Sequence, residues 1–320
     1  MSRDANALPV YRSIAELPAT TGRTIAAVGN FDGVHRGHRE ILDSVVREAH
    51  ESNAQALAIT FDPHPERFLR PQGAPKLLTP MAVRLSLLAE SGLDAVLVLP
   101  FDEELANMRA RAFVRQVIVD KLHASALHEG GNFRFGHRAE AGVAELKTFG
   151  AEFGFEVHLH RAVRVHGQEI SSSVIRALVA AGDVKRARWM LGRPFFVQST
   201  QARGRGVGTR LLVPTVNLAE YGELMPAFGV YVTRLTINGR CFQAVTNVGN
   251  RPTFEGLGFG VETHILNFEP IEIDDNTPLT LEFLMRLRQE IQWPSTDALK
   301  AQIFKDVARA KRYFQLLASD

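Results

Sequence analysis

Two histidines three residues apart, His35 and His38, close the run Gly29-Asn30-Phe31-Asp32-Gly33-Val34-His35-Arg36-Gly37-His38. Glycines let a backbone turn tightly and approach a ligand closely. A helix that starts just after such a turn offers unpaired N–H groups to an anion, and two imidazoles at this spacing lie on one side of a helical turn. The combination suits the α- and β-phosphates of a nucleotide. In nucleotidyl transfer, charge grows on the α-phosphate oxygens and on departing pyrophosphate, and donors fixed there stabilise it. Gly29, Asn30, Asp32 and Gly33 are the candidate ATP contacts of the turn, and His35 and His38 the candidate catalytic pair. Two plainer readings stand beside this one. The pair could ligate a metal, although no obvious third and fourth ligand stands nearby, or both could be ordinary histidines.

Three further clusters carry chemistry. Ser171, Ser172 and Ser173 open a helical segment, which gathers hydroxyls and free N–H groups at one place. Arg176 sits one turn further on, where its planar fork can reach a phosphate; the plain alternative is a capped helix with a solvated arginine. In Pro214-Thr215-Val216-Asn217, Thr215 and Asn217 face the same way along an extended segment. They offer two neutral oxygens to a Mg²⁺ ion bridging ATP phosphates. The preceding Gly204-Arg205-Gly206-Val207-Gly208 makes Gly204, Gly206 and Gly208 candidate ATP contacts, though it is neither a Walker loop nor a dinucleotide fingerprint. Glu262, His264 and Leu266 share one face of a strand-like stretch. A glutamate there either serves the chemistry or lies on an edge in a salt bridge.

The elements that must position these residues fall into two patterns. Apolar, strand-like runs at Thr24–Phe31, Ala54–Phe61, Asp94–Phe101, Ala124–His128 and Phe155–His160 alternate with helical periods. Ile41, Leu42, Val45, Val46 and Ala49 lie on one helical face. Thr79-Pro80 reads as an N-cap and first turn, and one long amphipathic helix is expected from about Glu103 to Leu122. Such alternation implies an α/β doubly wound parallel sheet, which binds ligands beyond the carboxyl ends of its strands. Two helices are expected over Ser171–Ala181 and Asp183–Leu191, followed by short alternating segments at Gly229–Thr236, Arg240–Asn247, Val261–Phe268 and Leu279–Leu287. Their spacing implies an antiparallel β-barrel or sandwich, followed by a helix over Ser295–Leu317. The domain boundary is placed near residue 186, giving domains of 1–186 and 187–320.

The motifs resemble, in order along the chain, those of bacterial FAD synthetases, which are bifunctional riboflavin kinase/FMN adenylyltransferases. The first run resembles the HxGH signature of the nucleotidyltransferase superfamily. Phe61-Asp62-Pro63-His64-Pro65, Gly130 with Asn132-Phe133-Arg134-Phe135-Gly136, and Ile170-Ser171-Ser172-Ser173-Val174-Ile175-Arg176 resemble further family segments. In the second half, Pro214 to Asn217 resembles the PTAN motif of riboflavin kinases. Asn247 to Phe254, Val261-Glu262-Thr263-His264 and Leu287-Arg288-Gln289-Glu290 match as well. The resemblance spans about Val28 to Ala310. It implies a Rossmann-like domain followed by a riboflavin kinase-like barrel, ATP contact for Ser171–Ser173 and Arg176, and Glu262 as general base toward the riboflavin 5′-hydroxyl. Asp62, His64, Asn132, Phe133 and Arg288 become candidate flavin contacts, although Asp62, His64 and the Phe133–Phe135 loop also read as turn and core residues. The chain departs from the family pattern at Asn132 (usually Asp), Ser173 (Thr), Leu212 (Gly), Val213 (an aromatic) and Val216 (Ala).

Composition narrows the class. The 320 residues carry a formal net charge of +2 with no dense basic block, which argues against a nucleic-acid partner. The single cysteine, Cys241, excludes an intrachain disulfide and reads as a small buried hydrophobe. No signal-like N-terminus or membrane-length apolar run is found, so a cytoplasmic enzyme is expected, with riboflavin, FMN and ATP as partners, Mg²⁺ as cofactor and an open oligomeric state. The expected activity is phosphorylation of riboflavin followed by adenylylation of FMN. Two alternatives are a chain retaining one of the activities, with the kinase the weaker candidate, and a non-catalytic flavin-binding regulator.

Overall fold

The computed structural model describes residues 8–18, 22–202, 215–253, 256–269, 271, 273 and 276–318. They form two compact units, Met1–Ser172 and Ser173–Asp320.

The first unit is built on a six-stranded sheet. Its strands are β1 (Val10–Tyr11), β2 (Thr24–Val28), β3 (Gln55–Asp62), β4 (Ala95–Pro100), β5 (Ala124–Gly130) and β6 (Glu156–His160). They lie in the order β1-β4-β3-β2-β5-β6, with every pairing parallel. Every residue of β2 is buried, as a strand covered on both faces requires. The short edge strand β1 has too few residues to show a period, and sequence reading missed it. Helix α1 (Arg36–Ser52) leads from β2 to β3, and α2 (Pro65–Leu69) and α3 (Met81–Ala89) lead from β3 to β4. The chain then crosses back to lay β5 on the other side of β2. The carboxyl ends of β2 and β5 therefore flank the point where strand order reverses, the place such sheets bind ligands.

Two helix expectations are corrected. The segment from Glu103 to Leu122 is not one helix: α4 (Glu103–Asn107) stops, and α5 (Ala110–Phe113) restarts and runs on as a π-helical stretch over Val114–Val119. Partners elsewhere cause the break. The Met108 carbonyl accepts the His137 N–H at 2.8 Å, and Glu140 Oε1 accepts the Ala110 N–H at 2.7 Å. Helix α3 begins at Met81 with Pro80 at its N-cap, so Thr79 does not cap it. The Thr79 hydroxyl turns instead to Asp32 and Gly33. Helix α6 (Val143–Phe153) and a two-stranded hairpin, β7 (Arg164–Val165) with β8 (Gln168–Glu169), complete this unit.

Helix α7 (Ser172–Ala180) starts at the unit boundary. It is followed by α8 (Val184–Leu191), capped by Asp183 and ended by Gly192 in the left-handed region. The strands of the second unit are β9 (Phe195–Thr200), β10 (Thr215–Asn217), β11 (Gly229–Ile237), β12 (Arg240–Thr253), β13 (Gly256–Ile265) and β14 (Pro278–Gln289). They form one antiparallel sheet in the order β10-β13-β12-β11-β14-β9. The two edges meet: Gln201 bridges Leu218, Ala202 N–H donates to the Asn217 carbonyl at 2.9 Å, and Ala219 N–H donates to the Thr200 carbonyl at 2.9 Å. Closure removes the exposed edges of an open sheet and makes the curled sheet a barrel. On its inner side Thr233, Thr246 and Thr263, all fully buried, join hydroxyl to hydroxyl at 2.7 and 2.9 Å, each satisfying its neighbour. Helix α9 (Thr296–Leu317), capped by Ser295, packs Ala310 and Phe314 on Val230, Val232, Val245, Leu284 and Leu287. Cys241 is exposed, not buried: it is the second residue of β12, just after the Asn238–Gly239 turn, at the end of the sheet. No helix among the described residues is long and apolar enough to cross a membrane.

Gly136 holds the α4–α5 break in place. Its φ is +77°, and a Cβ there would meet the Ala110 Cβ at 2.6 Å and backbone nitrogen at 2.7 Å. Gly136→Ala is expected to lower stability by about 2–3 kcal/mol in urea denaturation; a loss below about 0.5 kcal/mol would show that the loop yields without cost.

Candidate active sites

In the first unit the turn from β2 into α1 is the candidate centre. It contains three residues in the left-handed region: Phe31 at φ 46°, Gly33 at φ 83° and Val34 at φ 37°. For a β-branched residue such as Val34 this conformation is strained, and it persists only where surroundings over-determine it. Here Phe31 and Val34 are both buried, so their side chains anchor the strained backbone in the core. Buried Asp32 completes the hold. Its carboxylate accepts the N–H groups of Leu78 and Thr79 at 3.2 and 3.1 Å, and its carbonyl accepts the Ser172 hydroxyl at 2.9 Å. The Gly33 N–H donates to Thr79 Oγ1 at 3.0 Å. Asp32 thus braces the turn from behind, while Gly29 follows the end of β2, its N–H bonded to the Ile59 carbonyl at 2.9 Å. The Asn30 carbonyl accepts the Thr60 hydroxyl at 3.3 Å.

His35 is the N-cap of α1: its Nδ1 accepts the His38 N–H at 3.2 Å. The two rings stack 3.6 Å apart at 15°, and Phe31 meets His38 edge-on at 5.3 Å. Burial pushes the His38 imidazole well below its usual range, and the adjacent His35 and Arg84 push it the same way. Its Nδ1 is buried and makes no hydrogen bond among the described residues. A buried imidazole nitrogen without a partner, next to cationic groups at a helix N-terminus, is suited to an anion that would supply the missing bond.

Two buried charged residues near this turn were missed by sequence reading. Arg84 on α3 is 1% exposed and donates to Thr60 Oγ1 at 3.4 Å, so Arg84, Thr60 and Asn30 form a chain behind the turn. Glu129, near the end of β5, accepts the Val28 N–H at 2.7 Å on Oε1. Burial pushes its carboxyl well above the carboxylate range, against the opposing pull of that N–H. The available signal was a charge inside an apolar stretch, Leu-His-Glu in β5 and Val-Arg-Leu in α3.

The candidate flavin contacts of this unit are spread along the strand ends. Asp62 is exposed at the end of β3, and His64 is buried and caps α2 by accepting the Glu66 N–H at 3.2 Å. Asn132 is exposed in the turn after β5, where the Phe133 N–H closes onto the Gly130 carbonyl at 3.0 Å. Phe133 stacks on Phe135 at 5.2 Å. Ser172 begins α7, and Arg176 donates to Ser173 Oγ at 3.0 Å within that helix.

In the second unit the strand register assembles the candidate residues. Thr215 pairs with His264 and Asn217 with Glu262 across β10 and β13, while Glu262 pairs with Asn247 across β13 and β12. Directly opposed residues project to one face. Asn217, Glu262 and Asn247 therefore form one row and Thr215 stands in the next, with buried Val216 and Thr263 turned the other way. Arg288 of β14 is bonded to buried Asp306 of α9 at 2.9 Å and lies over Trp293 at 5.4 Å. The candidates Gly204, Gly206 and Gly208, together with Leu212 and Pro214, lie outside the described residues.

The chain matches the family model of FAD synthetase over residues 17–174 and that of riboflavin kinase over residues 191–314. It is 33% identical to the bifunctional riboflavin kinase/FMN adenylyltransferase of Haemophilus influenzae, over 90% of this chain and 93% of that protein. It is 35% identical to the Pseudomonas fluorescens protein of the same name, over 90% and 92%. A solved chain from Streptococcus pneumoniae, named a macrolide-efflux protein, superposes with a TM-score of 0.85 at 26% identity, covering 94% of this chain and 98% of that one.

Glu129 supplies a stability test. Its folded pKa is raised, so its stabilising contribution is complete below the unfolded value near 4.5 and is lost as pH rises through the folded value. Glu129→Gln keeps the acceptor for Val28 and removes the titration. Its thermal midpoint should exceed that of the parent at about pH 8 and converge with it near about pH 4.5. A constant gap across that range would show that Glu129 does not titrate abnormally.

Proposed function

The chain belongs to the bifunctional riboflavin kinase/FMN adenylyltransferase family, and from that premise we propose how its residues divide two ATP-dependent transfers. At the kinase centre riboflavin and ATP give FMN and ADP. At the adenylyltransferase centre FMN and ATP give FAD and pyrophosphate.

For adenylyl transfer, an FMN phosphate oxygen attacks the α-phosphorus of ATP as the bond to pyrophosphate breaks. The chain needs only to position the reactants and stabilise the growing negative charge. The observation that carries this reading is the stacked His35–His38 pair at the N-terminus of α1, with a buried His38 nitrogen that makes no hydrogen bond among the described residues. His38 donates to the phosphates, and His35 orients it while capping the helix. Gly29, Asn30 and Gly33 line the phosphate turn. Asp32 acts from behind it by bracing, since its carboxylate is already engaged by Leu78 and Thr79. Ser171, Ser172, Ser173 and Arg176, the opening turn of α7, add hydroxyls and a guanidinium for ATP. Asp62, His64, Asn132 and Phe133 are the proposed flavin contacts of this unit, Phe133 by offering an aromatic face.

For phosphoryl transfer, the riboflavin 5′-hydroxyl attacks the γ-phosphorus of ATP, the bond to ADP breaks, and the Glu262 carboxylate takes the hydroxyl proton. The cross-strand row supports this role by placing Glu262 between Asn217 and Asn247. Thr215 and Asn217 supply neutral oxygen donors on the same face, a set that fits Mg²⁺. When bound, the ion neutralises phosphate charge during transfer. Gly204, Gly206 and Gly208 are proposed as the ATP loop, and Arg288, held by Asp306, as a flavin contact.

The purified chain, incubated with riboflavin, ATP and Mg²⁺, is expected to produce FMN and then FAD on flavin chromatography. FMN alone would refute the adenylyltransferase assignment. Conversion of added FMN but not of riboflavin would refute the kinase assignment, and neither product would leave the regulator reading. Glu262→Gln should slow FMN formation by about 10²-fold or more while FMN-to-FAD conversion continues. His38→Ala should do the reverse, slowing FAD formation by about 10²–10³-fold.

A further inference from the structure

A second histidine cluster of the first unit lies away from the β2–α1 turn. Strand register sets His128 of β5 directly beside His158 of β6, and His160 follows two residues later on the same face. Glu48 of α1 reaches the same point. It lies ten residues beyond His38 along that helix, about 15 Å from it. His128 Nε2 is 2.8 Å and His158 Nε2 3.3 Å from Glu48 Oε2, and one donor atom from each of the three residues falls within 4.8 Å of the others. On the far side of the ring, His128 Nδ1 is 3.0 Å from His160 Nε2.

Hydrogen bonding alone leaves this arrangement incomplete. His158 Nε2 is buried, lies 3.3 Å from the Glu48 and 3.4 Å from the Glu156 carboxylate, and makes no hydrogen bond among the described residues. A buried imidazole nitrogen without a hydrogen bond, within 4.8 Å of two other donor atoms, is placed to act as a ligand. A tetrahedral zinc site with bonds of about 2.0–2.1 Å has ligand–ligand edges of about 3.3 Å. The His158–Glu48 distance equals that edge, and the His128–Glu48 pair would have to open by about half an ångström.

We infer that Glu48, His128 and His158 form a binding site for a divalent transition-metal ion of the zinc class. Two imidazoles and one carboxylate select such an ion over Mg²⁺, which prefers an all-oxygen shell. His160 is the supporting partner. It accepts the Nδ1 proton of His128, which leaves the Nε2 lone pair for the metal, as metal-bound histidines commonly require. Three protein ligands leave a fourth position for water. The ion would tie the C-terminal half of α1 to β5 and β6, and so would fasten the helix that carries His35 and His38. The sequence shows no obvious third and fourth ligand beside His35 and His38; the fuller ligand set lies toward the other end of the same helix.

The test uses the full chain, stripped with chelator, loaded with Co²⁺ and passed through gel filtration. About one Co²⁺ per chain is expected, with visible ligand-field bands that Zn²⁺ abolishes and Mg²⁺ does not. His158→Ala and Glu48→Gln should each lose the bands while FMN-to-FAD conversion continues, and His38→Asn should keep them. His158 and Glu48 are partly exposed, so circular dichroism should show both variants folded. Absence of retained Co²⁺ in the parent chain would overturn the proposal and leave an ion-pair network. Bands surviving in folded His158→Ala, or vanishing in His38→Asn, would overturn it as well.

Discussion

The first unit depends on the buried bonds of Asp32. A turn with Phe31, Gly33 and Val34 in the left-handed region is costly, and that cost must be met by neighbours. The Asp32 carboxylate meets part of it through Leu78 and Thr79 N–H groups, and its carbonyl through the Ser172 hydroxyl. Three segments far apart in sequence are thereby joined: the β2–α1 turn, the approach to α3 and the start of α7. Unpaired, that carboxylate would carry a heavy desolvation cost, so the turn and its supports are secured together.

Around this turn the charged groups are buried and compete. Desolvation drives His38 toward its neutral form, and Arg84 adds to that pressure from α3. The same effect pushes the Glu129 carboxyl well above its usual range at the neighbouring strand end. Beside these groups, His38 Nδ1 is buried and makes no hydrogen bond among the described residues, an arrangement suited to an incoming anion.

The second unit solves a different problem. An antiparallel sheet must carry polar residues on one face while keeping a dry interior. Alternation does this: Asn217, Glu262 and Asn247 align on one face, and Val216 and Thr263 turn inward. The buried threonine hydroxyls bond to one another, so the polar atoms on the inner side cost little. The bridge from Gln201 to Leu218 closes the sheet and fixes β10, the strand bearing Thr215 and Asn217.

Local chemistry in the sequence determined much of this. The buried strands of the first unit, the amphipathic period of α1, the glycine-rich turn before His35 and the helical period after Ser295 all follow from residue type and spacing, because each depends on neighbours within a few positions. The face shared by Glu262 and His264 was legible for the same reason. Tertiary structure decided what depends on distant partners. The break between Asn107 and Ala110 exists because the His137 N–H and the Glu140 carboxylate claim its backbone groups. Cys241 is exposed just after a turn, at the end of the sheet. The row of Asn217, Glu262 and Asn247, and the meeting of His128, His158 and Glu48, depend on strand register and on the helix that covers the sheet. Register is set by the summed burial of whole faces, a quantity that no short stretch of residues contains.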